Sequence, residues 1–302
     1  FFVCMETELW PNLLRALAAR GVPVMIANGR ISDRSYRGYR LVRPFMRSVL
    51  DCVSVFAMQS DEDARRIIAL GAHPERVVVT GNIKNEPVPD SAGVTDLWHR
   101  LLGFDAARRV WIAGSTHRGE EAMVLDAHAL ALAECPDLVL VIAPRHPERA
   151  GEVLDFVAAR GWPAVRRSEL PRQRQRNAVI VLDTVGELAT LYGVADVVFV
   201  GGSLVPFGGH NMLEPALRRK PVLFGPHTMN FREAAALLES AGAARVVRDG
   251  TTLGRELARL LGDHELRLKL GEAGYEAVAS RQGAVRETLD LVGRFLSPGA
   301  AA

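Results

Sequence analysis

Short runs of Val and Ile alternate along this chain with longer stretches in which apolar residues recur every three or four positions. Runs without an alternating polar position belong to strands buried on both faces, and a helical connection between two such strands returns the chain to begin a parallel neighbour. The pattern predicts strands over residues 1–4, 24–27, 53–57, 77–80, 110–113, 138–143, 179–182, 197–200 and 222–224. It predicts helices over residues 11–20, 61–70, 120–133, 148–160, 186–192 and 230–241, and only helical periodicity from residue 250 to about Leu296. The fold class is therefore α/β, with doubly wound parallel sheets.

Residues 85–93, Asn-Glu-Pro-Val-Pro-Asp-Ser-Ala-Gly, have the turn formers and polarity of a linker. The boundary is placed there, giving a first domain over residues 1–88 and a second over residues 89–302. The second, with five strands and its trailing helices, reads as a complete doubly wound domain. The first has four strands and opens directly on a buried-strand pattern without an initiator Met, so it is expected to be incomplete and to lack an upstream segment.

The 302 residues, 48% apolar, are enough for two domains of ordinary size. A net charge of +2 and 6% aromatic residues argue against nucleic-acid binding. Cys4, Cys52 and Cys135 have no C-x-x-C spacing, which argues against a disulfide framework or a zinc site and points to a reducing compartment. The longest apolar run is strand-sized rather than membrane-spanning. Charge is nevertheless uneven: residues 1–50 hold eight Arg against Glu6, Glu8 and Asp33. Such a basic stretch suits anionic lipid headgroups or an anionic substrate, and equally the solvated face of a helix carrying Arg34, Arg37, Arg40 and Arg47.

Ligands of open parallel sheets sit at the carboxyl ends of the strands, where loops and helix starts converge. Four loops of the second domain are loaded accordingly: Gly114-Ser115-Thr116-His117-Arg118-Gly119, Pro144-Arg145-His146-Pro147, Asp183-Thr184-Val185-Gly186-Glu187, and residues 201–215. In the last, the glycines, Gly201, Gly202, Gly208 and Gly209, suit close backbone approach to a phosphate, Asn211 suits a helix cap, and Glu214 suits the two hydroxyls of a ribose. Arg145 offers a planar guanidinium for a phosphate, carboxylate or base. His117, His146, His210 and His227 lack metal-ligand spacing, which favours capping and polar contacts. In the first domain, Glu6 and Glu8 stand where the opening strand meets its helix, and Lys84 stands beyond the fourth strand. A carboxylate and an ammonium facing the same crevice would balance charge or hand over a proton.

These segments carry a resemblance. Met5-Glu6-Thr7-Glu8-Leu9-Trp10-Pro11-Asn12, Asn28-Gly29-Arg30-Ile31-Ser32, Gly81-Asn82-Ile83-Lys84, Gly114-Ser115-Thr116-His117, Ala143-Pro144-Arg145-His146-Pro147-Glu148-Arg149, Asp183-Thr184-Val185-Gly186-Glu187-Leu188 and the 201–215 loop occur in the order seen in 3-deoxy-D-manno-octulosonic acid (Kdo) transferases. The chain resembles that family nearly end to end. The resemblance implies a GT-B fold of two Rossmann-like domains, with the acceptor on the side of the first. It implies an inverting, metal-independent transfer of Kdo from CMP-Kdo to the lipid A precursor, lipid IVA, in lipopolysaccharide core biosynthesis. The place implied is the cytoplasmic face of a Gram-negative inner membrane, and no cofactor is implied.

By the same resemblance, Pro144, Arg145, Val185, Gly186, Glu187, Asn211, Met212, Leu213 and Glu214 hold CMP, while Glu6 and Lys84 stabilise the transition state. The family's general-base Glu and its membrane-anchoring segment are expected upstream of residue 1, so no base is assigned. Met212 stands where the family usually has Pro. Because a fold alone does not fix chemistry, a nucleotide-sugar epimerase and an inert nucleotide-binding fragment are the competing readings, separable by preference for CMP over UDP and by Kdo transfer.

Overall fold

The computed structural model describes residues 1–6, 8–83, 93–103, 108–171, 178–280 and 283–296. The chain divides into two units, Phe1–Glu86 together with Ser280–Ala302, and Pro87–Ala279. The division falls inside the expected linker, of which residues 85–92 lie outside the described residues. The expected second domain is corrected at its end: residues from Ser280 onward group with the first unit.

In the first unit, β1 (Phe2–Met5), β2 (Val24–Gly29), β3 (Val55–Met58) and β4 (Val77–Val79) form a parallel sheet in that spatial order. Its helices are α1 (Pro11–Ala18), α2 (Asp33–Leu41), α3 (Arg43–Leu50) and α4 (Asp61–Leu70). The start and stop of α4 are written locally: the Ser60 hydroxyl accepts the Asp63 N–H, Asp61, Glu62 and Asp63 fill the first turn, and Gly71 follows the last. Successive β2 residues point to opposite faces. Val24 and Ile26 join a cluster with Leu14, Phe56 and Ile67 from α1, β3 and α4, whereas Met25 and Ala27 meet Ala57 and Leu291. Leu291 belongs to the last described helix, Ala284–Leu296, which explains why that helix is part of this unit: it covers the sheet's other face.

The second unit begins with α5 (Val94–Leu102), β5 (Val110–Thr116), α6 (Glu120–Glu134), β6 (Val139–Pro144), α7 (Ala150–Ala159), β7 (Ala164–Arg166), β8 (Val179–Val181), α8 (Leu188–Leu191) and β9 (Val197–Val200). It continues with α9 (Leu213–Leu217), β10 (Val222–Phe224), α10 (Arg232–Ser240), β11 (Ala244–Val246), α11 (Gly250–Gly262) and α12 (His264–Ala279); α13 (Ala284–Leu296) is the helix that returns to the first unit. The parallel sheet has the order β11-β10-β9-β5-β6-β8-β7. Ile112, Val139 and Val141 point into one apolar layer and Trp111, Ala113, Leu140 and Ile142 into the other, so both faces are covered and the strands read as unbroken apolar runs. Strand order runs outward from β5 on one side and from β9 on the other. The β5/β9 junction is therefore the topological switch point, beyond whose carboxyl edge ligands of such sheets lie.

Among the described residues the second unit has seven strands where five were expected. Both additional strands, β7 and β11, are at sheet edges, and each carries an Arg, Arg166 and Arg245, that breaks the apolar run.

Candidate functional site

The carboxyl edge of the second sheet is organised by a residue that the sequence reading missed. Gly119 ends the β5 loop and Glu120 begins α6, fully buried. One oxygen of its carboxylate accepts the N–H groups of His117 (2.9 Å) and Gly202 (2.7 Å), and the other those of Ser203 (3.0 Å) and Leu204 (2.9 Å). Burial pushes the carboxyl above its usual range against the pull of those four N–H groups. A Cβ at Gly201 would stand 2.6 Å from the Ser115 carbonyl oxygen and 2.8 Å from this carboxylate, so glycine is required by close packing. The expectation that the Gly201-Gly202 backbone cradles a phosphate is thereby corrected: the Gly201 N–H donates to the Gly114 carbonyl at 2.8 Å and the Gly202 N–H to the Glu120 carboxylate. A glutamate three residues after a histidine at a helix start looks in sequence like an ordinary first-turn acid, which is why it drew no attention.

Glu120 ties the β5 and β9 loops across the switch point, and above that tie two histidines meet. His117 Nε2 and His210 Nε2 are 2.8 Å apart, with ring planes inclined by only 3°. The Phe207 ring stacks on His117 at 4.1 Å, and His146 approaches it edge-on at 6.1 Å. Burial, reinforced by neighbouring histidines and arginines, lowers both imidazoles, His210 to about 4.

Arg145 stands at the end of β6 and its N–H donates to the Thr116 carbonyl at 2.9 Å, which fastens it to the β5 loop. Its side chain is exposed, with no hydrogen bond or ion pair to the described residues. Pro144 is the buried last residue of β6. Behind Arg145, Arg149 binds the buried Glu121 (2.8 Å) and Glu152 (3.1 Å), so this second guanidinium is already spent.

The expected cap is corrected: the N-cap of α9 is Met212, and Asn211 makes a turn just before it, its Oδ1 accepting the Leu213 N–H at 3.1 Å while its amide donates to Glu214 at 3.0 Å. Burial lifts the Glu214 carboxyl above its ordinary range. Met212 and Leu213 are buried in the core, so only their backbone faces the edge. On the β8 loop, Val185 is 85% exposed and Gly186 takes a φ of +84°. Both Glu187 oxygens are engaged, by Arg167 at 2.6 Å and by the Thr184 hydroxyl. Arg167 in turn lies over Trp98 at 5.1 Å. Glu187 is thus a brace for this loop, and what the loop offers a ligand is backbone. The helices behind these loops, α8 and α9, have four and five residues, too short for much of a macrodipole.

In the first unit, Glu6 follows β1 at a φ of +58°, its N–H donating to the Ala27 carbonyl at 2.8 Å. Asn28, at a φ of +54°, is buried at the end of β2 and its Oδ1 accepts the Ile83 N–H at 3.1 Å. Two non-glycine residues in the left-handed region at one sheet edge mark backbone held in a costly conformation, on the order of 1–3 kcal/mol each. Glu8 accepts the Trp10 indole N–H at 2.8 Å. Lys84 and Thr7 lie outside the described residues.

The family model described as 3-deoxy-D-manno-octulosonic-acid transferase (kdotransferase) matches residues 1–86. The 3-deoxy-D-manno-octulosonic acid transferase of Haemophilus influenzae is 38% identical over 295 residues, 97% of this chain and 69% of that protein. The solved C-terminal CMP-Kdo binding domain of WaaA from Acinetobacter baumannii is similar with a TM-score of 0.57 and 29% identity, covering 62% of this chain and 98% of that one. The UDP-GlcNAc 2-epimerase of Neisseria meningitidis, solved bound to UDP-GlcNAc, shares the fold alone, with a TM-score of 0.61 at 14% identity over 97% of this chain and 75% of that one.

Proposed function

The chain belongs to the family of 3-deoxy-D-manno-octulosonic acid transferases, with two Rossmann-like units of GT-B type, and from that premise we propose that it transfers Kdo from CMP-Kdo in lipopolysaccharide assembly. The observation that carries this reading is the convergence of four of the family's motifs, those after β5, β6, β8 and β9, on one edge of the second sheet. There an uncommitted Arg145, an exposed Val185-Gly186 turn and the half-buried Glu214 carboxylate suit, in that order, a phosphate, backbone contacts and a ribose. The acceptor is lipid IVA and the configuration at the anomeric carbon inverts.

In the transfer, an acceptor hydroxyl attacks the anomeric carbon and gives its proton to the general-base Glu that the family resemblance implies, the bond to the phosphate oxygen breaks, and the leaving CMP keeps that electron pair. Charge grows on the phosphate, and Arg145 and the backbone donors of the β6, β8 and β9 loops meet it; one such pre-organised donor is worth about 2.7–4 kcal/mol. Glu6, held in its left-handed conformation, and Lys84 stabilise the transition state.

The reaction takes place at the cytoplasmic face of the inner membrane. Support comes from α2 and α3, where Leu41 (87% exposed), Val42 and Phe45 lie among Arg34, Arg37, Arg40, Arg43 and Arg47, an apolar-and-basic surface suited to anionic lipid. The test is direct: with CMP-Kdo and lipid IVA, product mass rises by one Kdo residue or more. Turnover of a UDP-sugar instead, with no Kdo product, would establish the epimerase reading.

A further inference from the structure

The two histidines at the switch point come from different loops, His117 from the one after β5 and His210 from the one after β9. Nearly coplanar rings with Nε2 atoms 2.8 Å apart leave room for one proton between them. With that proton in place, the neutral pair has a bare Nδ1 on one ring and an Nδ1–H on the other. Adding a proton gives a pair with charge +1 and two Nδ1–H donors. A further proton would set two N–H groups head to head, so the geometry limits the pair to a single positive charge.

The groups around the pair decide when that charge is present. From α6 come Glu120, committed to four backbone N–H groups, and Glu121, committed to Arg149 and the Thr116 hydroxyl. From the β6 loop come Arg145, Arg149 and His146, all acting against a positive pair, and from the β9 loop comes Phe207, which stacks on His117 and fixes its plane. Desolvation acts the same way, so without an anion the pair is neutral near pH 7. An anion docked on the free Arg145 guanidinium offsets that positive field.

Resting on the reading that this edge takes a cytidine monophosphate, we propose that His117 and His210 bind the donor phosphate with Arg145 as one unit, taking up a single proton from solvent as the anion arrives. Arg145 is the permanent cation and the histidine pair a conditional one. The pair then supplies extra charge only in the liganded site and withdraws it when the nucleotide leaves.

The probe is the methyl ester of cytidine 5′-monophosphate, whose phosphate holds one negative charge without titrating in the range used. Calorimetry at pH 5.5 in two buffers of different ionisation enthalpy should show uptake of roughly half to one proton per ligand. The affinity should tighten about five- to thirtyfold between pH 8 and pH 5.5, the range expected when an opposite charge comes within about 4–6 Å of an imidazole. His210→Gln and His117→Gln keep a hydrogen-bonding group near the Nε2 position; both should bind more weakly, with an affinity that no longer changes with pH. Nitrogen NMR of the wild-type imidazoles, which needs no variant, should show Nδ1 protonation on titration with the ester. Binding without proton uptake, or uptake retained in both variants, overturns the role of the pair and leaves the nucleotide site standing. Failure of both the ester and CMP itself to bind at pH 8 overturns the nucleotide reading and the pair's role with it.

Discussion

At the scale of single residues, the second unit separates the groups that build its ligand edge from the group left free on it. Glu120 is a builder: an amide there would lose acceptors and turn a donor toward backbone N–H groups in a buried site. Each unsatisfied buried donor costs about 1–3 kcal/mol, and in a unit of this size 1 kcal/mol moves Tm by about 2–4 °C. Glu120→Gln should therefore lower the calorimetric Tm by roughly 5–12 °C; an unchanged Tm would refute the tie. Arg145 is the free group, and Arg145→Ala should leave Tm within a degree or two while weakening CMP about ten- to hundredfold, the worth of a charged hydrogen-bonded contact of about 1.5–3 kcal/mol. Glu6→Ala should act on kcat more than on KM in the transfer assay. The sequence marked Arg145, Asn211 and Glu214 as chemistry because each follows a recognisable strand in a loop rich in turn formers. It was silent on Glu120 and Arg167, which bind residues distant in the chain and meet them only once the sheet is assembled.

At the scale of elements, legibility followed burial. Central strands such as β6 and β9, apolar on every position, stood out because both of their faces are covered. Edge strands β7 and β11 have a half-exposed face and tolerate Arg166 and Arg245, so their three-residue runs do not differ from loop. The helix α13 was legible as a helix but not as a member of the first unit, since an amphipathic stripe does not say which sheet it will cover. Leu291→Asp, which places a charge against Met25, Ala27 and Ala57, should destabilise the first unit by several kcal/mol and leave CMP binding by the second intact. Loss of nucleotide binding in that variant would contradict the division. Another element-level device is the buried contact between α6 and β5, where the Trp111 indole donates to His128 Nδ1 at 3.2 Å and burial holds the imidazole down at about 4. An imidazole lowered in the folded state binds its proton earlier in the unfolded chain. Stability is therefore full above pH 6.5 and lost as pH falls toward 4, by on the order of 3 kcal/mol for this group. His128→Asn, which retains an acceptor for the indole, should flatten that part of the stability profile in denaturant titrations.

At the scale of the molecule, two parallel sheets divide the labour expected of a GT-B transferase. The motifs proposed to hold the nucleotide line the carboxyl edge of the seven-stranded sheet, and Glu6 and the basic, partly apolar α2–α3 surface belong to the four-stranded unit. If the α2–α3 surface meets lipid, replacing Arg40 and Arg43 by Glu should abolish flotation with anionic vesicles while catalysis on a detergent-dispersed acceptor persists; equal flotation with zwitterionic vesicles would argue against it. Nucleotide binding at the carboxyl edge of the larger sheet is the proposal on which the others depend. A crystal structure with CMP tests it most directly: the phosphate should lie against Arg145 beside the His117–His210 pair, with the ribose hydroxyls on Glu214. A nucleotide bound elsewhere on the unit, or density for UDP and none for CMP, would contradict it.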